Sequence, residues 1–277
     1  MTVTLLQGVT HACFGLSYLC AFALELASLF WPGLGWRVAS LTFGMAGFIA
    51  QTLYIAINQP SPASPYGSLV VLAWVLAAFY LYGTIHHAKQ AWAVFVLPVL
   101  IGLVGLSFVL LHSDASMPAF DMLSWVSGER FWGAIHGILI LGAAVGVSVG
   151  FLASVMYLIQ ARRLRTKAPL GRGIPLLSLE SLETMNRRAV NATVPFLTVG
   201  LLVGTLLLQQ NRELGENWLS LKIVSTLGLW ALFLVLLCMR YGTRVAPRRL
   251  ALLSILAFGV MLVALGSAHT FVQGGTK

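Results

Sequence analysis

The stretch FWGAIHGILILGAAVGVSVGFLASVMYLIQARRLR, residues 131–165, decides the fold. No charged residue occurs between Arg130 and Arg162. A membrane-spanning helix needs about 20 apolar residues, and this run exceeds that before its arginines begin. Five glycines, Gly133, Gly137, Gly142, Gly146 and Gly150, sit at spacings of four or five. Small residues so spaced share one helix face and let a neighbouring helix come close. Gly200 and Gly204 repeat the device in the next long apolar run.

Outward from this stretch the same grammar recurs. Spans are expected near 5–30, 36–57, 67–85, 91–112, 131–160, 189–210, 218–240 and 250–271. Charged residues make up 9% of the chain, against roughly 25% in soluble domains, and they gather in the breaks between spans. This is the bilayer's requirement that backbone polar groups be satisfied within each helix. The expectation is an all-α, polytopic transmembrane bundle of about eight spans, forming a single transmembrane domain over 1–277 in the cytoplasmic or inner membrane. The connection 58–66, NQPSPASPY, reads as a Pro/Ser turn, and 113–130 as an acidic connection. The longest polar segment, 161–188, opens with ARRLRTK and closes with SLESLETMNRR. Ser178 with Glu180 and Glu183 predicts a short capped helix on the membrane surface, followed by entry into span six. The first apolar run lacks a basic leader and contains Glu25, which argues against a cleaved signal peptide.

Of the 17 Lys and Arg residues, all but Arg130, Arg212, Lys222 and Lys277 fall on one side of these spans. That side is expected to be cytoplasmic, which places both termini outside and 161–188 inside. The net charge of +9 is therefore an orientation signal, and no nucleic-acid partner is expected. Membrane lipid is the surrounding partner. The three cysteines form no CxxC or CxxCH pattern, so neither a thiol redox pair nor covalent haem attachment to this chain is expected. HExxH and phosphate-loop patterns are absent from the sequence, which withdraws support from those chemistries.

The orientation sorts the histidines. His86 and His87 close span three on the cytoplasmic side and read as interfacial. His11, His136 and His269 fall at similar depth, within roughly 10 Å of the outer surface at 1.5 Å rise per residue. Ionisable residues inside spans are functional candidates, and neutral imidazole is an axial ligand of haem iron. The plainer reading is a set of interfacial histidines bonded to water or backbone. Trp125, Trp132 and Trp218 lie in the same layer. They read as an aromatic belt or as a stacking wall, Trp132 sharing a face with His136 four residues on. Arg130, Arg212 and Lys222 are placed to meet carboxylates or to snorkel. Glu25, deep in span one, calls for a basic partner on a neighbouring span.

Three stretches carry a resemblance: 51–82, then 131–165 with 178–204, then 248–269. On these the chain resembles the cytochrome c assembly family of membrane proteins, the CcsA/HemX type. The resemblance implies a haem-binding or haem-handling role in cytochrome c assembly, by presentation or scaffolding rather than catalysis. It implies non-covalent haem b held at the outer face by His136 and His269 as axial ligands. Trp132 and Trp218 would line the pocket, and Lys222 and Arg130 would stand near the propionates. Implied partners are other cytochrome c assembly membrane proteins. The chain departs from the haem-exporting pattern in two places. The segment NRELGENWLSLK carries one Trp and no Asp, and Gln51 and Cys238 or Met239 stand where a second histidine pair is expected. In this it looks closer to the shorter HemX-like branch. The alternative is a regulatory or scaffold subunit in tetrapyrrole metabolism, binding no haem and docking a cytoplasmic enzyme through 161–188. A transporter ranks behind both, since Pro98 and Pro195 interrupt spans four and six in dissimilar settings.

Overall fold

The computed structural model describes residues 10–31, 33–60, 64–86, 92–111, 129–166, 177–210, 221–242 and 246–266. Eight helices account for nearly all of them. They are α1 His11–Phe30, α2 Leu34–Asn58, α3 Pro65–His86, α4 Ala93–Leu111, α5 Glu129–Arg165, α6 Leu179–Gln210, α7 Leu221–Gly242 and α8 Pro247–Gly266. Each contains a stretch long and apolar enough to cross a membrane, with mean hydropathy from 1.5 to 2.7. The protein is a multi-pass membrane protein with the helical architecture its sequence predicts. Large apolar side chains face outward along the spans, among them Leu16, Val109, Ile138, Leu202 and Leu256, as lipid contact requires.

Local chemistry sets the helix ends. Gln59 takes a left-handed conformation, φ 44°, and its N–H closes α2 on Ile55 O at 2.9 Å; Pro60 follows. Ser64 Oγ accepts the Gly67 N–H at 2.9 Å and Pro65 takes the first turn of α3, where its missing N–H costs nothing. Ser178 caps α6, accepting the Ser181 N–H at 3.2 Å. The cap is where the sequence places it, but a separate surface helix is not formed. One helix runs from Leu179 through the apolar span to Gln210. A helix satisfies its own backbone in water and lipid alike, so the charges at Glu183, Arg187 and Arg188 do not oblige it to break.

The chain divides into two compact units where the sequence suggested one domain over 1–277. In the first, α1 packs on α2, α2 on α3, α3 on α4, and α4 back on α1. In the second, α5–α6, α6–α7, α7–α8 and α8–α5 close the same kind of ring.

Buried polar groups tie each ring. In the first unit the Tyr18 hydroxyl donates to Gln51 Oε1 at 2.7 Å, and Gln51 Nε2 donates to Val70 O at 3.1 Å. Gly44 and Gly47 open the α2 surface for two buried tyrosines. A Cβ at Gly44 would lie 2.6 Å from the Tyr80 hydroxyl, and one at Gly47 2.8 Å from Tyr18 Cε1. Glu25 is buried on α1, and no ion pair of its carboxylate with a basic side chain is present among the described residues.

In the second unit one side chain joins all four helices. Asn186 Nδ2 on α6 donates to Gly150 O at 3.1 Å and Ser154 Oγ at 2.9 Å on α5, and to Ser254 Oγ at 3.0 Å on α8. Its Oδ1 accepts from Arg240 Nη2 on α7 at 3.0 Å. Interhelical hydrogen bonds of this kind hold membrane helices where apolar packing gives little preference over lipid.

Candidate functional site

The glycine seam between α5 and α6 positions the principal candidate, His136. Gly142 faces Phe196, Gly146 faces Thr193 and Gly150 faces Ala189. From the other side, Gly200 faces Ile140 and Gly204 faces the His136 ring. A Cβ on Gly204 would stand 2.8 Å from His136 Cε1, so the half-buried imidazole reaches α6 because position 204 carries no side chain.

That approach gives His136 a defined tautomer. Nδ1 lies 2.8 Å from Gly200 O. A carbonyl only accepts, so Nδ1 carries the proton and the neutral ring keeps its lone pair on Nε2. A histidine that ligates a metal through one nitrogen ordinarily donates from the other to a carbonyl or carboxylate, which fixes the ring and its tautomer. His136 meets that condition. Gly133, about one turn before His136, and Gly137, the residue after it, have nothing within 4 Å of a Cβ built on them among the described residues.

Trp132 lies one turn before His136 on α5. It is 47% exposed and meets Phe131 edge-on, with ring centroids 6.0 Å apart. This position suits either a belt residue or an outer wall beside the imidazole. The remaining residues implied by the resemblance, His269 and Trp218, lie outside the described residues, as does Arg212. Arg130 and Lys222 lie on α5 and α7, with side chains outside the described set. The separation of His136 from His269 is likewise outside it.

His11 resolves differently. It is 6% exposed, and Phe14, Tyr54, Tyr66 and Phe108 surround its ring with centroids 4.6 to 6.1 Å away. Ser107 Oγ donates to Val104 O at 2.8 Å, so it accepts from His11 Nε2, also at 2.8 Å. His11 is a packed and hydrogen-bonded residue of the first unit. His86 is exposed, stacks on Tyr82 with centroids 4.1 Å apart, and places Nδ1 3.0 Å from Tyr82 O. This matches its interfacial reading. Gln51, where a second histidine pair would begin, is fully buried. Both ends of its amide are engaged by Tyr18 and Val70 O, and it offers nothing to a metal. Cys238 is exposed on α7.

Sequence reasoning missed the cluster around Asn186 and Arg240. Arg240 reads as one more orientation charge, yet its guanidinium turns into the second unit and Nη1 is buried. The only signal was an Asn and an Arg inside otherwise apolar helix faces. Among the described residues no group of three or more His, Cys, Asp or Glu side chains is arranged to hold a metal ion.

A family model described as "Cytochrome C assembly protein" matches residues 63–271, which include all of α5, α6, α7 and α8. No curated protein and no solved structure matches the chain.

Proposed function

Since the chain belongs to the cytochrome c assembly protein family and has a role in cytochrome c maturation, we propose that it binds haem b non-covalently and presents it to that process. The observation that carries the reading is the His136 tautomer. Gly200 O holds the Nδ1 proton, and the lone pair this leaves on Nε2 is the form that ligates iron.

In this reading His136 and His269 would hold the haem iron, Trp132 and Trp218 would wall the porphyrin, and Arg130 and Lys222 would meet its propionates through charge-assisted hydrogen bonds. The bound haem supplies the iron and vinyl groups that become part of a cytochrome. This chain's residues bind, orient and shield it. Covalent attachment takes place on a partner that carries CxxCH, among other assembly proteins of the cytoplasmic or inner membrane. The buried, fully bonded Gln51 supports placement in the HemX-like branch, without a second histidine pair deeper in the membrane.

Absorption spectra of detergent-purified protein from haem-supplied cells test the proposal. A Soret band is expected in the wild type and is expected to be lost in His136→Ala and His269→Ala. Absence of the band in the wild type removes the proposal. A band that survives both substitutions removes the ligand assignment.

A further inference from the structure

The first unit contains a buried acid that the haem reading does not use. The inward face of α1 is a single stripe of His11, Phe14, Tyr18, Ala21 and Glu25, at the helical spacing of three and four. Glu25 closes that stripe. It is 8% exposed and lies five residues before the end of α1, roughly 7–8 Å at 1.5 Å rise per residue. Carboxyl groups inside spans are rare, and those that occur pair with a partner or mark proton relays. No basic side chain pairs with this one among the described residues.

The groups that face Glu25 come from three helices. Ser40 on α2 is its side-chain hydrogen-bond partner. Ser40 is itself buried, and its Oγ donates to Ala21 O at 3.0 Å, the carbonyl one turn before Glu25 on the same face. Tyr80 on α3 is fully buried, and its hydroxyl has no hydrogen-bond partner among the described residues. It reaches α2 because Gly44 has no side chain, and the charge of Glu25 acts on it. Arg37 on α2 acts on Glu25 only through its charge and is exposed. Tyr18 on α1 has its hydroxyl committed to Gln51. Helix α4, which also packs on α1, carries no acidic, basic, Tyr or Cys residue.

Counting protons decides what Glu25 can do here. A serine has one proton to donate, and Ala21 O holds that of Ser40. Towards Glu25 the Ser40 oxygen can only accept. A carboxylate has no proton to give to that bond, whereas a carboxylic acid has one. We propose that Glu25 is a proton-binding site, occupied in the folded first unit, whose carboxyl O–H donates to Ser40 Oγ while the Tyr80 hydroxyl is the donor that meets the carboxylate once the proton leaves. A buried carboxylate facing Ser40 alone would be left without a donor, which is costly; the unspent hydroxyl of Tyr80 answers that cost. The released proton passes to water at the nearby end of α1. One negative charge is then added between α1, α2 and α3, so the packing of this unit responds to protons. The site uses none of the residues assigned to haem, and its existence does not depend on that assignment.

The test is infrared difference spectroscopy of the full-length protein in nanodiscs of zwitterionic lipid, wild type against Glu25→Gln, over a range of pH. At neutral pH the difference is expected to contain the C=O stretch of a protonated carboxyl, displaced in deuterated water. The glutamine amide has nearly the same shape and can donate to Ser40 in place of the acid, so this variant is expected to melt as the wild type does. Tyr80→Phe removes the waiting hydroxyl. Proton release is then expected to weaken about tenfold, the share of one charge-assisted hydrogen bond, and the carboxyl band to persist to a pH about one unit higher. This comparison reads the same carboxyl even if Glu25→Gln fails to fold. A neutral-pH spectrum in which Glu25 contributes only carboxylate bands overturns the proposal. A protonated band whose titration ignores Tyr80→Phe overturns the part assigned to Tyr80 and leaves the proton on Glu25.

Discussion

Replacing Gly204 with alanine moves His136 without touching the imidazole itself. The new Cβ would stand 2.8 Å from His136 Cε1 and 3.2 Å from Nδ1. Carbon atoms pack at about 3.5–4.0 Å, so the ring must retreat by roughly 0.7–1.2 Å from α6 or the two helices must part by as much. Either movement stretches the 2.8 Å contact from Nδ1 to Gly200 O beyond hydrogen-bonding range. Stability falls by about 1–3 kcal/mol, the usual cost of overpacking. Haem affinity is expected to fall further than that, by about 10–100-fold, the usual effect of removing the partner that orients a ligating histidine. Haem titration of purified protein, read at the Soret band, measures it. Gly150→Ala on the same seam is the control, because its Cβ finds ordinary contact with Ala189 Cβ at 3.7 Å and should bind haem as the wild type does. A Gly204→Ala protein with unchanged haem affinity and spectrum would refute the idea that His136 is held in its ligating form by α6.

Three further outcomes follow from the geometry. Gly146→Ala drives a Cβ into Thr193 Oγ1 and should lower stability by about 1–3 kcal/mol; Thr193→Ala in the same chain should restore most of it, as thermal unfolding in detergent would show. His11→Phe should leave the Soret band unchanged and cost no more than about 1 kcal/mol, because Ser107 keeps its bond to Val104 O and the aromatic surroundings accept a ring; loss of haem in this variant would contradict the structural role of His11. A periplasmic-type enzyme reporter fused after Lys277 should be active and one inserted near Lys167 inactive, as the basic residues predict; the reverse pattern would invert the orientation and the meaning of every outer-face residue.

The spans were legible because lipid imposes a length and a composition that few other environments do. The start of α3 at Ser64–Pro65 and the cap at Ser178 were legible as well, since both rest on local backbone chemistry. The continuity of α6 was not. Glu183, Arg187 and Arg188 were read as marking the end of the bilayer, but a helix need not stop where the hydrocarbon stops. The division into two rings left no mark in the sequence, because leucines that face lipid and leucines that face a neighbouring helix look alike. His136 was visible from its depth and its setting. Its partner was not, because a backbone carbonyl has no sequence signature; Gly200 and Gly204 read only as a packing seam, although that seam is what brings the ring to the carbonyl. Arg240 was counted among the charges that orient the chain, and nothing in the count distinguishes an arginine that snorkels from one that turns inward.

Each set of four helices closes on itself, α1 to α4 and α5 to α8. The leading quartet can therefore complete its packing while the ribosome is still making the trailing one. Such an arrangement lets the half that carries His136 change its chemistry over evolutionary time without renegotiating the half that does not.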